Sequence, residues 1–284
     1  MNQTTERGLE PGLYIVATPI GNLSDLSPRA ATVLSQADLL AVEDSRVTGK
    51  LLNHLGVKRP MTPYHDHNAD RIRPGLIARM ASEAIALVSD AGTPLISDPG
   101  FKLVRDARER GVSIFTIPGP SAAIAALTLS GLPTDRFLFV GFLPNRAKAR
   151  QDALAEIRNL KATLIFYETG PRLSATLAAM IEILGNRQAT ISREITKFHE
   201  ETLSGSLADL IHRIGSATLK GEIVIVVAPA VTEINDFAGA DPEPLLREAL
   251  TRLPVAKAAA EVAELTGLPK RDLYNLAITL KQAE

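Results

Sequence analysis

From residue 13 onward, short apolar runs alternate with longer stretches in which apolar positions recur every three or four residues. The runs at 13–17 (LYIVA), 39–42 (LLAV), 84–88 (AIALV) and 112–117 (VSIFTI) predict buried strands. The stretches at 28–35, 46–55, 69–82 and 102–110 predict the helices between them. Continuous apolar runs belong to strands covered on both faces, so the fold class is α/β, with a mostly parallel sheet between helical layers.

A second set starts after the turn Pro118-Gly119-Pro120, where Ser121 is a suitable N-cap for an apolar helix over 122–129, stopped by Gly131 and Pro133. Strands are predicted at 137–140, 163–167, 190–193 and 222–228, with helices over 147–160 and 171–184. The stretch 201–204 reads as part of a hairpin, so this second sheet is expected to be mixed. The residues from 232 to 244 are rich in Asp, Glu, Gly and Pro and read as a linker. Beyond them, 254–280 predicts a small helical hairpin of the helix-turn-helix kind, with Gly267 as C-cap and Pro269 starting the last helix.

Length and composition narrow the options. At 284 residues the chain exceeds what one core usually fills. With 45% hydrophobic and 22% charged residues it is an ordinary globular protein. No apolar stretch is long enough for a membrane span, and the N-terminus has no apolar export signal, so a cytoplasmic location is expected. The absence of cysteine excludes disulfides, thiolate metal sites and thiol nucleophiles. A formal charge of −1 gives no bulk attraction to nucleic acid, so any RNA contact needs a local basic patch. Candidates are Arg146, Lys148 and Arg150; Arg71 and Arg73; and Lys270 with Arg271, although such a group is more often a solvated face than a binding surface.

The predicted strand-end loops of the first sheet are unusual. They read Thr18-Pro19-Ile20-Gly21-Asn22, Glu43-Asp44-Ser45-Arg46, Tyr64-His65-Asp66-His67-Asn68, Ser89-Asp90-Ala91-Gly92-Thr93-Pro94 running on to Asp98-Pro99-Gly100, and Pro118-Gly119-Pro120-Ser121. Ligands of open α/β sheets bind beyond the carboxyl ends of the strands, which is where these Asp, Glu, His, Asn and Gly residues cluster. No G-x-G-x-x-G follows a strand and no phosphate-binding G-x-x-x-x-G-K-[ST] is present, so dinucleotide and nucleotide-phosphate cradles lose their support. Carboxylates and close backbone without a phosphate cradle suit S-adenosylmethionine, whose hydroxyls and ammonium need acceptors. Gly92 would let the backbone approach such a ligand. Capping of the following helix is the competing role for Asp90 and Asp98. His65 and His67 lack a third ligand, so no metal site is expected. His199 and His212 read as structural, and without G-x-S-x-G a serine hydrolase has no anchor.

The strings ATPIGNLSDLSPRA, VEDSR, VSDAGTPLISDPG, IPGPSA, VGFLP, FYETGPRL, REITKFHEE and GEIVIVV occur in this order over nearly the whole chain. Together they resemble the tetrapyrrole methylase superfamily, the class III S-adenosylmethionine methyltransferases, and within it the bacterial enzymes that modify small-subunit ribosomal RNA. Two departures are conservative: Ser45 stands where the family usually has Thr, and Phe101 where it has Tyr. The resemblance implies two α/β domains at 1–120 and 121–231, with the methyl donor bound in the cleft between them, and a small helical segment at 244–284. It also implies a homodimer and 2′-O-methylation of a cytidine in the decoding centre of 16S rRNA, within the 30S subunit.

By the same resemblance, Pro19, Asp90, Ala91, Gly92, Thr93, Asp98, Ser121, Ala122, Tyr167 and the rim at Ala228 would hold S-adenosylmethionine. Asn22, Arg46, Asn68, Lys270 and Arg271 would meet RNA. A ribose hydroxyl attacks poorly unless its proton is removed, and His65, Glu43, Asp44 and Lys197 are the candidates for that role, with Glu200 beside the last. Two other readings stay open: a small-molecule methylase acting on a tetrapyrrole or diphthamide, and a non-catalytic RNA-binding assembly factor.

Overall fold

A computed structural model of the chain describes residues 8–215, 221–230 and 241–282. The first sheet is made of β1 (Gly12–Val16), β2 (Leu39–Val42), β3 (Met61–Pro63), β4 (Ala84–Val88) and β5 (Ile114–Ile117). Its helices are α1 (Pro28–Gln36), α2 (Ser45–His54), α3 (Ala69–Arg79) and α4 (Phe101–Glu109). All pairings are parallel in the order β3-β2-β4-β1-β5, as the apolar runs predicted. Both faces are covered. Tyr14, Val16, Leu40, Val42, Ala86 and Val88 pack under α1 and α2, while Leu13, Leu39, Ala41, Ile85 and Leu87 meet α3 and α4. Successive strand residues point to opposite faces, so a strand buried on both sides must be apolar throughout.

The second sheet has β6 (Phe137–Phe142), β7 (Thr163–Thr169), β8 (Gln188–Arg193), β9 (Glu201–Ser206) and β10 (Glu222–Val227), in the order β6-β7-β10-β8-β9. It is mixed: β6 and β7 run parallel and the other neighbours antiparallel, with β8 and β9 forming the expected hairpin. On one face lies α5 (Ala122–Leu129), packed on Ile165, Val224 and Val226. On the other lie α6 (Ala147–Ile157), α7 (Gly170–Leu184) and α8 (Leu207–Ile214), over Leu164, Phe166, Ile191 and Ile225. The chain passes between the sheets from Ile117 to Ala122, and the two sheets form one compact unit, Met1–Arg158 with Ala162–Ala228.

A second unit, Asn159–Lys161 with Pro229–Glu284, contains α9 (Pro242–Leu250), α10 (Val255–Thr266) and α11 (Lys270–Gln282). Leu246, Ala258, Ala259, Val262, Leu273 and Ala277 form its own core. Gly267 caps α10 in the left-handed region at φ 71°, as expected. The expected helical hairpin over 254–280 is present as α10 and α11, and a further helix, α9, precedes it from the end of the expected linker, because Asp241 caps α9 and Pro242 occupies its first turn. Most of the expected linker, residues 232–240, lies outside the described residues. Among the described residues no helix is long and apolar enough to cross a membrane.

Candidate functional site

Because the first sheet is wholly parallel, its five carboxyl ends share one edge, and the polar loops seen in the sequence emerge together there. In the second sheet β7 and β8 point the same way and β10 runs against both. One edge of that sheet therefore carries the ends of β6, β7 and β8 and the beginning of β10. The two edges enclose a cavity of about 250 Å³.

Of the residues expected to hold a methyl donor, Asp90, Ala91, Gly92, Thr93, Asp98, Ser121, Ala122 and Tyr167 line this cavity, as does Glu43. Pro19 lies instead in a neighbouring concavity. Ala228 is at the wrong end of its strand. β10 is antiparallel to β7, so Glu222, Ile223 and Val224 reach the cavity, while the Ala228 amide donates to Gln188 O at the opposite edge. The direction of a strand leaves no mark on an apolar run, which is why the position of Ala228 was misjudged. Ile20, Ile96, Ser97, Phe142, Thr169 and Ile195 also line the cavity without having been singled out.

Backbone geometry shapes the walls. Gly92, at φ 76°, bridges to Thr18 through two backbone hydrogen bonds, and an added Cβ would meet Ile20 Cγ2 at 3.3 Å. Leu95 and Ser97 carry positive φ on the loop after β4, and Glu194 and Thr196 on the loop after β8. Non-glycine residues in that region are strained and concentrate at functional sites. Ser121 is the N-cap residue of α5, but its side chain makes no capping bond, so the hydroxyl remains turned to other use. Tyr167 forms an edge-on aromatic cluster with Phe139 and Phe142, giving the cavity an apolar, flat-sided wall.

The electrostatics are one-sided. Glu43, Asp90 and Asp98 all face the cavity, and none forms an ion pair among the described residues. Burial pushes the Asp98 carboxyl up to about 6, helped by the charge of Glu43. Burial likewise raises Glu43 and Asp90, whose loops interlock. The Asp90 amide donates to Glu43 Oε2 at 3.3 Å, and the Asp44 amide to Asp90 Oδ1 at 3.0 Å.

The four candidate bases separate. Asp44 caps α2, accepting from the Arg46 amide at 2.8 Å, and pairs with the Arg46 guanidinium, whose hydrogen bonds pull its carboxyl down to about 2. A carboxylate so stabilised is a weak base. Lys197 donates to Glu194 and Glu222, each at 3.1 Å. Burial works against its ammonium, but those two bonds outweigh it and keep the group charged. His65 lines neither concavity; its Nδ1 is buried without a partner, and its ring stands 6.0 Å from that of His67. Glu43 alone combines a place in the cavity with a raised proton affinity. Glu200 accepts from the Thr196 amide at 2.7 Å and so braces the loop that carries Lys197.

Of the expected RNA contacts, Asn22 accepts from the Ser24 amide and caps a short 3-10 turn. Asn68 is spent on its own loop, accepting from the His65 amide and donating to Pro63 O. Arg46, Lys270 and Arg271 are exposed. Two of the basic patches dissolve: Arg73 is held by Asp70 and Asp106, and Arg150 is buried. Gly21 is required by packing. A Cβ there would fall 2.5 Å from Lys197 Cγ and 2.8 Å from Thr196 Oγ1, while the Asn22 amide donates to that same Thr196 oxygen.

Residues 12–211 match the family model of the Tetrapyrrole (Corrin/Porphyrin) Methylases, and residues 236–281 match that of the RsmI C-terminal HTH domain. The chain is 52% identical over 273 residues to the Ribosomal RNA small subunit methyltransferase I of Erythrobacter litoralis, covering 96% of each. It is 48% identical over 278 residues to the protein of that name from Mesorhizobium japonicum, covering 97% of this chain and 94% of the relative. Among solved structures, a diphthine synthase superposes with a TM-score of 0.61 at 17% identity, over 76% of this chain and 89% of that one. A uroporphyrin-III-C-methyltransferase from Thermus thermophilus superposes at 0.54 with 20% identity, over 76% and 94%. These two structural likenesses show a shared fold.

Proposed function

The chain belongs to the tetrapyrrole methylases and, within them, to the ribosomal RNA small subunit methyltransferase I family, and on that footing we propose that it methylates the ribose 2′-oxygen of a cytidine in the decoding centre of 16S rRNA, using S-adenosylmethionine. The observation that carries this reading is the convergence of Glu43, Asp90 and Asp98, without an ion pair among the described residues, on one cavity that also offers Gly92 and an aromatic wall at Tyr167. That donor set fits S-adenosylmethionine: acceptors for its ribose hydroxyls and positive charges, close backbone, and a flat apolar face for adenine. When bound, the cofactor supplies an electrophilic methyl group on a sulfonium.

Asp90, Ala91, Gly92, Thr93, Asp98, Ser121, Ala122 and Tyr167 hold that group from both sheets. In this reading residues 1–120 carry the acceptor-facing loops, 121–231 close the cofactor cavity, and 244–284 form an accessory helical segment. Attack by the 2′-oxygen is a direct displacement, so alignment comes first. Glu43 would take the hydroxyl proton as the methyl carbon passes from sulfur to the 2′-oxygen, its raised proton affinity making it a stronger base than an ordinary carboxylate. Arg46, Lys270 and Arg271 neutralise RNA phosphates. Lys197 is a positioning cation rather than a base. The enzyme acts on the assembled 30S subunit and as a homodimer, for which exposed Phe101, Ile124 and Phe137 supply apolar surface.

The test is mass mapping of 2′-O-methyl groups in 16S rRNA from cells lacking this protein, followed by methylation of their 30S subunits in vitro. A decoding-centre cytidine should lack its ribose methyl and regain it on adding the protein. An unchanged methylation map, or transfer to uroporphyrinogen instead of 30S subunits, would overturn the reading.

A further inference from the structure

Beside the carboxylate-lined cavity lies a second concavity of about 300 Å³, of whose lining the mechanism above uses only Asp90, Ala91 and Lys197. The two share Ile20, Asp90, Ala91 and Glu222, so only those residues separate their contents. Thr18, Thr48, Lys50 and Lys197 belong to the second alone.

Its two threonines are anomalous. Thr18 and Thr48 are each 2% exposed, and neither Oγ1 has a hydrogen-bond partner. A buried hydroxyl left unsatisfied is costly and calls for a reason. Helical threonines ordinarily solve the problem by donating one turn back, as Thr32 does to Pro28 O, Thr266 to Val262 O and Thr279 to Asn275 O. Thr48 sits in α2 with that option available and does not use it. Two residues with unpartnered hydroxyls therefore line one concavity, with Leu51 and Val88 giving it apolar walls and Lys50 and Lys197 also in its lining.

We propose that this concavity is the subsite for the acceptor nucleotide, the Thr18 and Thr48 hydroxyls bonding the polar edge of its base and Lys50 its phosphate. The inference rests on the RNA methyltransferase reading and adds the residues that read the acceptor. Hydroxyls both donate and accept, which suits a base edge carrying both kinds of group. The apolar walls take the face of a base drawn out of its stack, as single-stranded RNA recognition requires. A volume at the lower end of small-molecule pockets is matched to one nucleotide. The shared wall then sets the acceptor sugar next to Asp90 and to the cavity that holds Glu43.

Thr48→Val keeps the shape and removes the hydroxyl, and Thr18→Val does the same after β1. With 30S subunits from cells lacking the protein, the expected result for Thr48→Val is a roughly five- to tenfold higher KM for the subunit, the size of one lost neutral hydrogen bond. The S-adenosylmethionine Kd should be unchanged and the melting temperature equal or higher, because an unsatisfied buried group has gone. A purely structural threonine would lower the melting temperature and the activity together; that outcome, or a wild-type KM, overturns the proposal. Should the wild-type protein not methylate 30S subunits, the parent reading falls and the subsite is judged by titration with cytidine 5′-monophosphate alone. Binding at least fivefold tighter to wild type than to Thr48→Val retains the subsite, and equal or absent binding overturns it.

Discussion

Replacing Asp98 by asparagine preserves size and removes a charge that the ligand-free protein holds at a cost. The carboxyl is pushed up from 3.8 to about 6, first by burial and then by the charge of Glu43. At 1.36 kcal/mol for each tenfold change in proton affinity, that gap corresponds to about 3 kcal/mol, an upper bound because the side chain is only partly buried. The sign follows from proton counts. Below pH 3.8 the group is protonated both folded and unfolded and contributes nothing. Between pH 3.8 and 6 the unfolded chain ionises first, so stability is lost as pH rises, and above 6 the full cost is present. Asp98→Asn should therefore melt higher than wild type at pH 7.5, by up to about 10 °C for a unit of this size, and should match it near pH 4.

Cofactor binding should move the opposite way. A carboxylate bonded to a charged or hydroxylic ligand is worth about 1.5–3 kcal/mol, so the variant should bind S-adenosylmethionine roughly ten- to a hundredfold more weakly at pH 7.5. Wild-type affinity should fall as pH drops below 6, because the carboxyl must release its proton to accept the ligand. The variant's affinity should change less over that interval. Differential scanning fluorimetry from pH 4 to 8, with calorimetric titrations at the same values, measures both. A wild-type-minus-variant melting difference that is the same at pH 4 and 7.5, or a wild-type Kd unaffected by pH, would refute the assignment of Asp98 as a half-buried, ligand-facing acid.

Glu43→Gln should lower kcat on 30S subunits by at least about a hundredfold and flatten the acidic limb of the rate profile, measured by labelled methyl transfer. Gly21→Ala should cost about 1–3 kcal/mol in chemical denaturation, because its Cβ enters the space of Lys197 and Thr196, and it should also raise the KM for the subunit. Changing Lys270 and Arg271 together to glutamine should weaken subunit binding and reduce the salt dependence of its affinity by about one to two in log–log slope, read in filter binding between 50 and 200 mM salt.

The first sheet was legible because its strands are buried on both faces, and such strands must be continuous apolar runs bounded by turns. β3 escaped for the same reason: its three residues include two half-buried side chains and Pro63 at an edge, so no apolar run marks it. α8 escaped although its start carries a capping box of Ser206 and Asp209, because its eight residues give the periodicity only two turns to declare itself. α9 was hidden by Pro-Glu-Pro, which reads as linker until Asp241 is seen to cap it.

The same distinction explains the site. In a parallel sheet every chain exit lies at one edge, so loops distant in sequence can be gathered on topology alone, and Glu43, Asp90 and Asp98 were found that way. In a mixed sheet the exit of one strand lies beside the entrance of the next. Nothing in EIVIVV says which end of β10 faces the cavity, and Glu222 was missed while Ala228 was chosen.

Glu222 stands where two opposite electrostatic environments meet. On one side it joins three carboxylates that form no ion pair among the described residues; on the other it holds the ammonium of Lys197 together with Glu194. Carboxylates crowded without a counter-ion raise one another's proton affinity, a cost that only a cationic ligand removes. In the proposed reading the acids on the first side thus favour a positively charged donor. In the proposed reading Lys50, exposed at the margin of the second concavity, meets the acceptor's phosphate, while the half-buried Lys197 is already paired with Glu194 and Glu222. An anionic acceptor placed in the first cavity would meet Glu43, Asp90 and Asp98 as like charges, so in the proposed reading these carboxylates fix which cavity takes the donor.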